Sequence, residues 1–179
     1  MFTTGLKKTN RAFNSEFKTF ELDELYWYVG KKPRTETREN IYIMTMVSRE
    51  PRQIVGFDVA VDKSPERIQA IVDGAPWAES YYSDGWNGYI DVVYPGRYTR
   101  NVHNKNDTFT VEGVNADLRH YIPLLARRSR CFPRKIETLR AVVDVFVDAY
   151  NKFGLAKLNF RQNRSSISRE LSFSVLDFL

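Results

Sequence analysis

Three short apolar segments precede the first helical pattern of this chain, and their connections restrict the folds open to it. Residues 20–29 (FELDELYWYV), 41–47 (IYIMTMV) and 53–61 (QIVGFDVAV) are rich in the aromatic and β-branched side chains that favour strands. Only residues 48–52 separate the second segment from the third, which is short enough for a hairpin. The pattern predicts an antiparallel meander of three strands.

A short helical pattern then leads to a fourth strand. Pro65 suits the first turn of a helix, Ser64 can cap it, and residues 66–72 carry apolar side chains at helical spacing. Residues 80–83 follow as a short strand, which we expect to pair in parallel with an earlier one because it comes after a crossover. This order of elements is that of the ribonuclease H-like fold, so we predict a mixed α/β sheet flanked by helices, with the first and fourth strands adjacent.

The predicted strand order determines which carboxylates can lie close together. Asp84 directly follows the fourth strand, and Asp23 lies on the neighbouring first strand. Asp58 lies on the third strand, roughly 14 Å from the fourth at about 4.8 Å per strand, so we choose Asp23 over Asp58. Glu21 shares the face of Asp23 by the two-residue alternation and Glu24 is expected to point the other way, so both are reserves.

A second helical pattern begins near residue 110, where Asp107 or Thr108 can cap it. Glu112, Asn115 and Arg119 are three and seven residues apart and therefore share one helical face. The opposite face carries Val111, Val114, Leu118 and Ile122, which suits a core. On spacing alone, an ordinary polar surface is as good an interpretation of Glu112 and Arg119 as a functional one. Proline at 123 is expected to end this helix, and residues 134–152 predict a last amphipathic helix that covers the sheet.

Basic side chains are concentrated on both sides of this second helix. The chain has 27 Lys and Arg against 22 Asp and Glu, a net charge of +5. One group is Arg127, Arg128, Arg130, Arg134 and Lys135, and another is Arg97, Arg100 and Lys105 in the loop between Asp84 and Glu112. Solvated loops would explain the charge alone, but beside a carboxylate site we expect these cations to bind DNA phosphates.

Composition limits the metal chemistry and the location. The chain of 179 residues is about one domain. A single cysteine and two histidines can form neither an internal disulfide nor an ordinary structural zinc site, so any metal must be held by oxygen. Since no run of eighteen apolar residues occurs, we expect a cytoplasmic protein with no membrane partner.

These segments together resemble the catalytic region of DDE-type bacterial insertion-sequence transposases, in particular the family of the first-numbered insertion sequence. The matching segments cover roughly residues 20–152: ELDE and YVGKK at 21–24 and 28–32, YSDGW at 82–86 with Tyr89, VEGVNADLR at 111–119, and the basic residues 127–134. Each segment is weak alone, but their order and spacing make the match specific.

The resemblance implies that Asp23, Asp84 and Glu112 are the two aspartates and the glutamate of the catalytic triad, holding two Mg²⁺ or Mn²⁺ ions. It implies cleavage of DNA at the element ends, with water as nucleophile, and then strand transfer by the freed 3′-hydroxyl into target DNA. Arg119 would neutralise charge on the scissile phosphate, and Asn115 would orient a carboxylate or the backbone. A nucleoid-associated enzyme follows from these expectations.

The same family defines the expected domains and partners. We expect an N-terminal extension at 1–19, the catalytic domain at 20–153 and a polar C-terminal tail at 154–179. Full-length family members begin with a zinc-binding segment and a helix-turn-helix, which these first residues lack, so a separate upstream-frame part is an expected partner. A homo-oligomer is also expected, because two element ends must be cut together.

Two alternatives stay open beside the transposase. One is another ribonuclease H-like nuclease, which also needs clustered carboxylates but usually has a fourth acidic residue. The other is a catalytically silent DNA-binding or regulatory fragment of a transposase, which would bind DNA and be indifferent to loss of Asp84. For Trp86, a core position is favoured over stacking on a flipped base.

Overall fold

A mixed sheet forms the centre of the protein. The computed structural model describes residues 17–29, 39–101, 107–125, 133 and 135–162. Within these ranges the strands are β1 (Thr19–Val29), β2 (Glu39–Ser48), β3 (Gln53–Ala60), β4 (Ser80–Ser83) and β5 (Arg97–Arg100). The helices are α1 (Pro65–Gly74), α2 (Phe109–Tyr121) and α3 (Ile136–Gln162), with 3-10 turns at Asn87–Tyr89 and Pro123–Leu125.

The strand order is β3-β2-β1-β4-β5. The first three strands pair antiparallel, as the short hairpin predicted, and β4 pairs in parallel with β1. Asp58 therefore lies on an edge strand, two strands away from β1, as expected. The predicted α/β class, the meander and the adjacency of the first and fourth strands are confirmed.

The fifth strand was missed. Arg97 and Arg100 were expected in a loop, but they begin and end β5, which pairs in parallel with β4. Unlike β4, which is equally short but follows a predicted crossover helix, this segment follows no helical pattern, and its sequence RYTR is mostly polar. Its side-chain anchor is Tyr98, whose ring stacks on Tyr94 at 4.3 Å and whose hydroxyl lies 2.7 Å from Ser83 Oγ.

Each face of the sheet carries its own core. On one face α1 covers the even-numbered side chains of β1, and the buried members of this layer include Phe20, Leu22, Ile68, Ile71 and Tyr81. On the other face α2 and α3 cover the odd-numbered ones, with Leu25, Trp27, Val114, Leu118 and Val143 among them. The predicted apolar faces of all three helices are therefore confirmed.

The helix boundaries differ from the expectations in their caps. Ser64 occupies the N-cap position of α1, but its side chain makes no capping hydrogen bond, and Thr108 at the start of α2 makes none either. Pro123 follows the end of α2, as predicted. The last helix runs to residue 162 rather than 152. None of the helices in the described ranges combines the length and apolar character needed to span a bilayer.

Glu21 of β1 replaces the missing cap of α2. Its Oε2 accepts hydrogen bonds from the backbone N–H groups of Thr110 at 2.7 Å and Val111 at 2.9 Å, which are in the first turn of the helix. Its Oε1 pairs with Arg49 Nε at 2.7 Å, and the side chain is completely buried. The reserve carboxylate Glu21 thus joins β1, the end of β2 and the positive end of α2.

Glu21→Gln is expected to lower the free energy of unfolding by about 3 kcal/mol, because it leaves Arg49 without its anion and weakens the cap. Urea denaturation followed by circular dichroism measures the change. The matched control is Glu79→Gln, at an exposed position just before β4, where a change below about 0.5 kcal/mol is expected. Equal losses in the two variants would contradict the role assigned to Glu21.

Candidate metal centre

The site begins where the pairing of β1 with β4 ends. The last paired residues are Leu22 and Ser83, so Asp23 and Asp84 are the next residues on two neighbouring parallel strands. Asp23 continues to pair with Thr45 of β2 on its other side. Asp84 has left the sheet and turns toward the 3-10 helix. This register brings together two carboxylates that are distant in sequence.

Glu24 completes a group of three carboxylates. One oxygen each from Asp23, Glu24 and Asp84 lies within 4.8 Å of the others, and all three side chains are half-buried. Glu24 leaves β1 on the face opposite Asp23, as the alternation predicts, and this reserve carboxylate nevertheless belongs to the group. β4 ends at Ser83, and the glutamate side chain brings one oxygen within 4.8 Å of an oxygen of Asp23 and of Asp84.

Asp23 is held by a side-chain network from α2 and β2. Asn115 Nδ2 donates to Asp23 Oδ2 at 2.8 Å, and Thr45 Oγ1 donates to Asn115 Oδ1 at 3.1 Å. Asn115 and Thr45 are both buried. Of the two partners expected for Asn115, a carboxylate or the backbone, the structure shows the carboxylate, and a role for Asn115 in binding DNA stays a prediction. Nothing in the local sequence pattern indicated Thr45.

The pKa of Asp23 is raised from 3.8 to about 6. Burial is the main cause, and the negative charges of Glu24 and Asp84 add to it, while the hydrogen bond from Asn115 acts in the opposite direction. Two full charges at such a separation repel by roughly 3–4 kcal/mol at an effective dielectric constant near 20. A cation placed between the carboxylates would remove this repulsion.

Glu24 and Asp84 have different kinds of partner. Glu24 Oε1 contacts the ammonium of Lys63, and Glu24 Oε2 accepts a hydrogen bond from the Tyr89 hydroxyl at 2.8 Å. Burial and the nearby charge of Glu24 raise the pKa of Tyr89 well above its usual value, so the phenol stays a hydrogen-bond donor. Asp84 Oδ1 accepts the backbone N–H of Trp86 at 3.0 Å, an Asx-turn that directs the carboxylate.

Trp86 packs beside the carboxylates rather than offering a free ring face. It meets the Tyr89 ring edge-on at 5.3 Å, and the Lys63 ammonium lies 4.3 Å from its centroid. A Cβ atom at Gly88 would lie 2.0 Å from the Trp86 ring, so residue 88 must be glycine for the ring to lie there. The favoured core position of Trp86 is confirmed.

Glu112 lies outside the group of three. It is exposed on the first turn of α2, one turn before Asn115, or about 5 Å along the helix axis. Its place in the triad stays a prediction. Arg119 is half-buried one turn after Asn115, on the same helical face.

The basic residues divide into two sets. Arg97 and Lys135 are exposed and Arg100 is half-buried within the described part of the chain. Lys105, Arg127, Arg128, Arg130 and Arg134 lie outside the described residues. Asp58, the rejected carboxylate, pairs with Arg67 at 3.0 Å and lies 3.7 Å from Arg140, which is a structural role.

The three carboxylates fit a hard divalent cation. Carboxylate oxygens from Asp23, Glu24 and Asp84 are the ligand type of Mg²⁺, Mn²⁺ and Ca²⁺, and no histidine or cysteine belongs to the group. No protein-family model matches the sequence, and neither does any curated protein.

Asp23→Asn is expected to raise the stability of the metal-free protein at pH 8. The folded pKa of Asp23 lies above the unfolded value, so its ionisation lowers stability progressively as the pH rises from 3.8 to about 6, and the penalty persists above that. About two pKa units correspond to roughly 3 kcal/mol at most. Denaturation in EDTA across this pH range measures the gain.

The control for this prediction is Asp58→Asn, which removes a carboxylate that has cationic partners. It is expected not to stabilise the protein at any pH in the range. A loss of stability in Asp23→Asn at pH 8 without metal would contradict the prediction, because it would mean that other interactions stabilise the ionised Asp23 carboxylate.

Proposed function

We propose that the protein is a DDE-type strand-transfer enzyme with a ribonuclease H-like catalytic domain, which cleaves DNA and joins it in a metal-dependent reaction. One observation carries the proposal: Asp23 and Asp84 meet at the end of the β1–β4 pairing, with Glu24 within 4.8 Å of both. Carboxylates converging from separate elements are the common basis of metal-assisted phosphoryl transfer.

The fold supports the choice of class. A three-stranded meander, a crossover helix and a fourth strand parallel to the first give the sheet order β3-β2-β1-β4-β5. This is the arrangement expected from the ribonuclease H-like order of elements, and it places one aspartate on β1 and the other directly after β4. Function on such a scaffold depends on the site rather than on the fold, so the carboxylates carry the greater weight.

Asp23 and Asp84 would hold the divalent metal, with Glu24 beside them and Glu112 as the ligand expected from α2. When bound, Mg²⁺ supplies activation of the attacking oxygen and stabilisation of the leaving one. Asn115 holds one carboxylate oxygen of Asp23 by its 2.8 Å hydrogen bond. The side-chain rotamer that this bond selects also determines the direction of the other oxygen. Asn115 is therefore a positioning residue.

Glu112 would act from the substrate side of the helix. It shares the helical face of Asn115, and its exposed side chain is free to turn toward the carboxylates when DNA covers them. Arg119 occupies the other side of Asn115 on the same face and would contact the scissile phosphate or its neighbour. Arg97, Arg100 and Lys135 would contribute phosphate contacts, together with the basic residues at 105 and 127–134.

Glu24 also favours a second candidate, a ribonuclease H-like nuclease that cuts without joining. With Glu112, the site would then have four acidic residues, the number usual in such nucleases. The two candidates differ in their products. A nuclease releases cut strands, whereas a transposase also links a 3′-hydroxyl end to a second DNA molecule.

Supercoiled plasmid and a labelled oligonucleotide with a free 3′-hydroxyl, incubated with protein in Mn²⁺ or Mg²⁺, provide the test. Wild type is expected to nick the plasmid and to join the labelled strand to it. Asp23→Asn, Asp84→Asn and Glu112→Gln are each expected to lower both rates at least about 100-fold, because each removes a metal-binding charge.

Asp58→Asn is the matched control, since it removes an aspartate from the same sheet and is expected to keep both activities within about threefold of wild type. Loss of activity at Asp58 with survival at Asp23 would overturn the assignment of the site. Nicking without joining would select the nuclease. DNA binding that is indifferent to Asp84→Asn, with no cleavage, would indicate a silent fragment.

A further inference from the structure

A lysine contacts one member of the group of acidic side chains. Lys63 comes from the short connection between β3 and α1, and its ammonium contacts Glu24 Oε1. About a quarter of its side chain is exposed (26%), and only 10% of the Glu24 side chain is. Aromatic rings hold the amine on two sides, with Trp86 at 4.3 Å and Tyr42 at 5.6 Å from ring centroid to Nζ.

This arrangement differs from an ordinary surface ion pair. The pair of Arg67 with Asp62, for example, has 37% and 48% of its side chains exposed, and such pairs contribute little. Lys63 is instead placed over the faces of Trp86 and Tyr42, where the ring quadrupoles attract a cation. Its long apolar stem also fills space beside these rings, so the position of the ammonium is determined by packing as well as by charge.

Lys63 forms an ion pair with Glu24, one of the three carboxylates of the group. Both oxygens of Glu24 already accept, one from Lys63 and the other from Tyr89. The hydrogen-bond partners of the remaining two are neutral, the amide of Asn115 for Asp23 and the backbone N–H of Trp86 for Asp84. Within the described residues, Glu24 is the member of the group that has an ion pair.

The net charge of this group is therefore balanced by one divalent ion. Three ionised carboxylates and one ammonium have a net charge of minus two, which a single Mg²⁺ or Mn²⁺ neutralises. A second divalent ion would have to share Glu24 with an ammonium, and two cations in contact at one half-buried carboxylate repel each other strongly. Removing the lysine charge removes this obstacle.

We propose that Lys63 is a built-in cation that occupies the position of a second metal at Glu24, so that the DNA-free protein takes one divalent ion fewer than its carboxylates would otherwise hold. The inference rests on the proposed function, since it assigns the metal stoichiometry of that same site. Lys63 is a positioning residue in this role. It keeps Glu24 occupied while Asp23 and Asp84 remain available.

Isothermal titration of metal-free protein with MnCl₂, without DNA, tests the inference. Lys63→Met keeps an apolar stem against the rings and removes the charge, and it is expected to bind one Mn²⁺ per chain more than wild type. Lys63→Arg keeps the charge and is expected to bind the same number as wild type. Lys152→Met, at an exposed position on α3, controls for loss of a lysine elsewhere.

The double variant Lys63→Met with Glu24→Gln ties the extra ion to this carboxylate, and it is expected to lose the gain. Thermal melts by circular dichroism establish that each variant is folded, and Lys63→Gln replaces Lys63→Met if the latter does not fold. The same number of ions in wild type and in the charge-free variant would overturn the inference, as would a gain that persists in the double variant.

This result is separable from the proposed function. A gain of one ion in Lys63→Met, together with wild-type protein that leaves plasmid DNA intact, supports the inference and contradicts the enzyme. Metal-dependent cleavage by wild type with no gain in Lys63→Met supports the enzyme and overturns the inference.

Discussion

The parallel pairing of β1 with β4 is the constraint from which the rest of the site follows. It extends from Thr19 and Ser80 to Leu22 and Ser83 and then stops, because β4 is only four residues long. The next residue on each strand is an aspartate. Glu24, which leaves β1 on the other face, also brings one carboxylate oxygen within 4.8 Å of both aspartates.

Glu21 and Asp23 show how partners decide the role of a carboxylate. They are two residues apart on the same strand and face the same side, yet Glu21 is completely buried against Arg49 and the start of α2. Its negative charge is compensated by a cation and a helix N-terminus. Asp23 is hydrogen-bonded by neutral groups, the amide of Asn115 and the backbone of Glu24, and burial together with two like charges nearby raises its pKa to about 6. The first carboxylate stabilises the fold, and the second belongs to the candidate metal centre.

Helix α2 connects these two roles. Its first turn is capped by Glu21, and one turn later Asn115 reaches Asp23, with Thr45 of β2 holding the far side of the amide. The helix is thus bound to the sheet by two acidic residues of one strand. This attachment determines the orientation of the helical face that carries Glu112 and Arg119. It therefore holds these two residues, which are expected to bind substrate, at a defined position relative to the carboxylates. Lys63, Trp86 and Tyr89 form the corresponding layer on the other face of the sheet.

The sequence by itself determined the four main strands, the three amphipathic helices, and the adjacency of the strand of Asp23, rather than that of Asp58, to β4. Those features depend on periodicity and connection length, which are local, and on strand adjacency, which follows from the crossover. Only the tertiary structure decided the fifth strand, the capping of α2 by Glu21, and the approach of Glu24 and Lys63 to the site. The segment RYTR is mostly polar and follows no predicted crossover helix, and Glu21 is 89 residues from the amide it caps. Lys63 and Glu24 are 39 residues apart in the chain, and their side chains meet only when the sheet has formed.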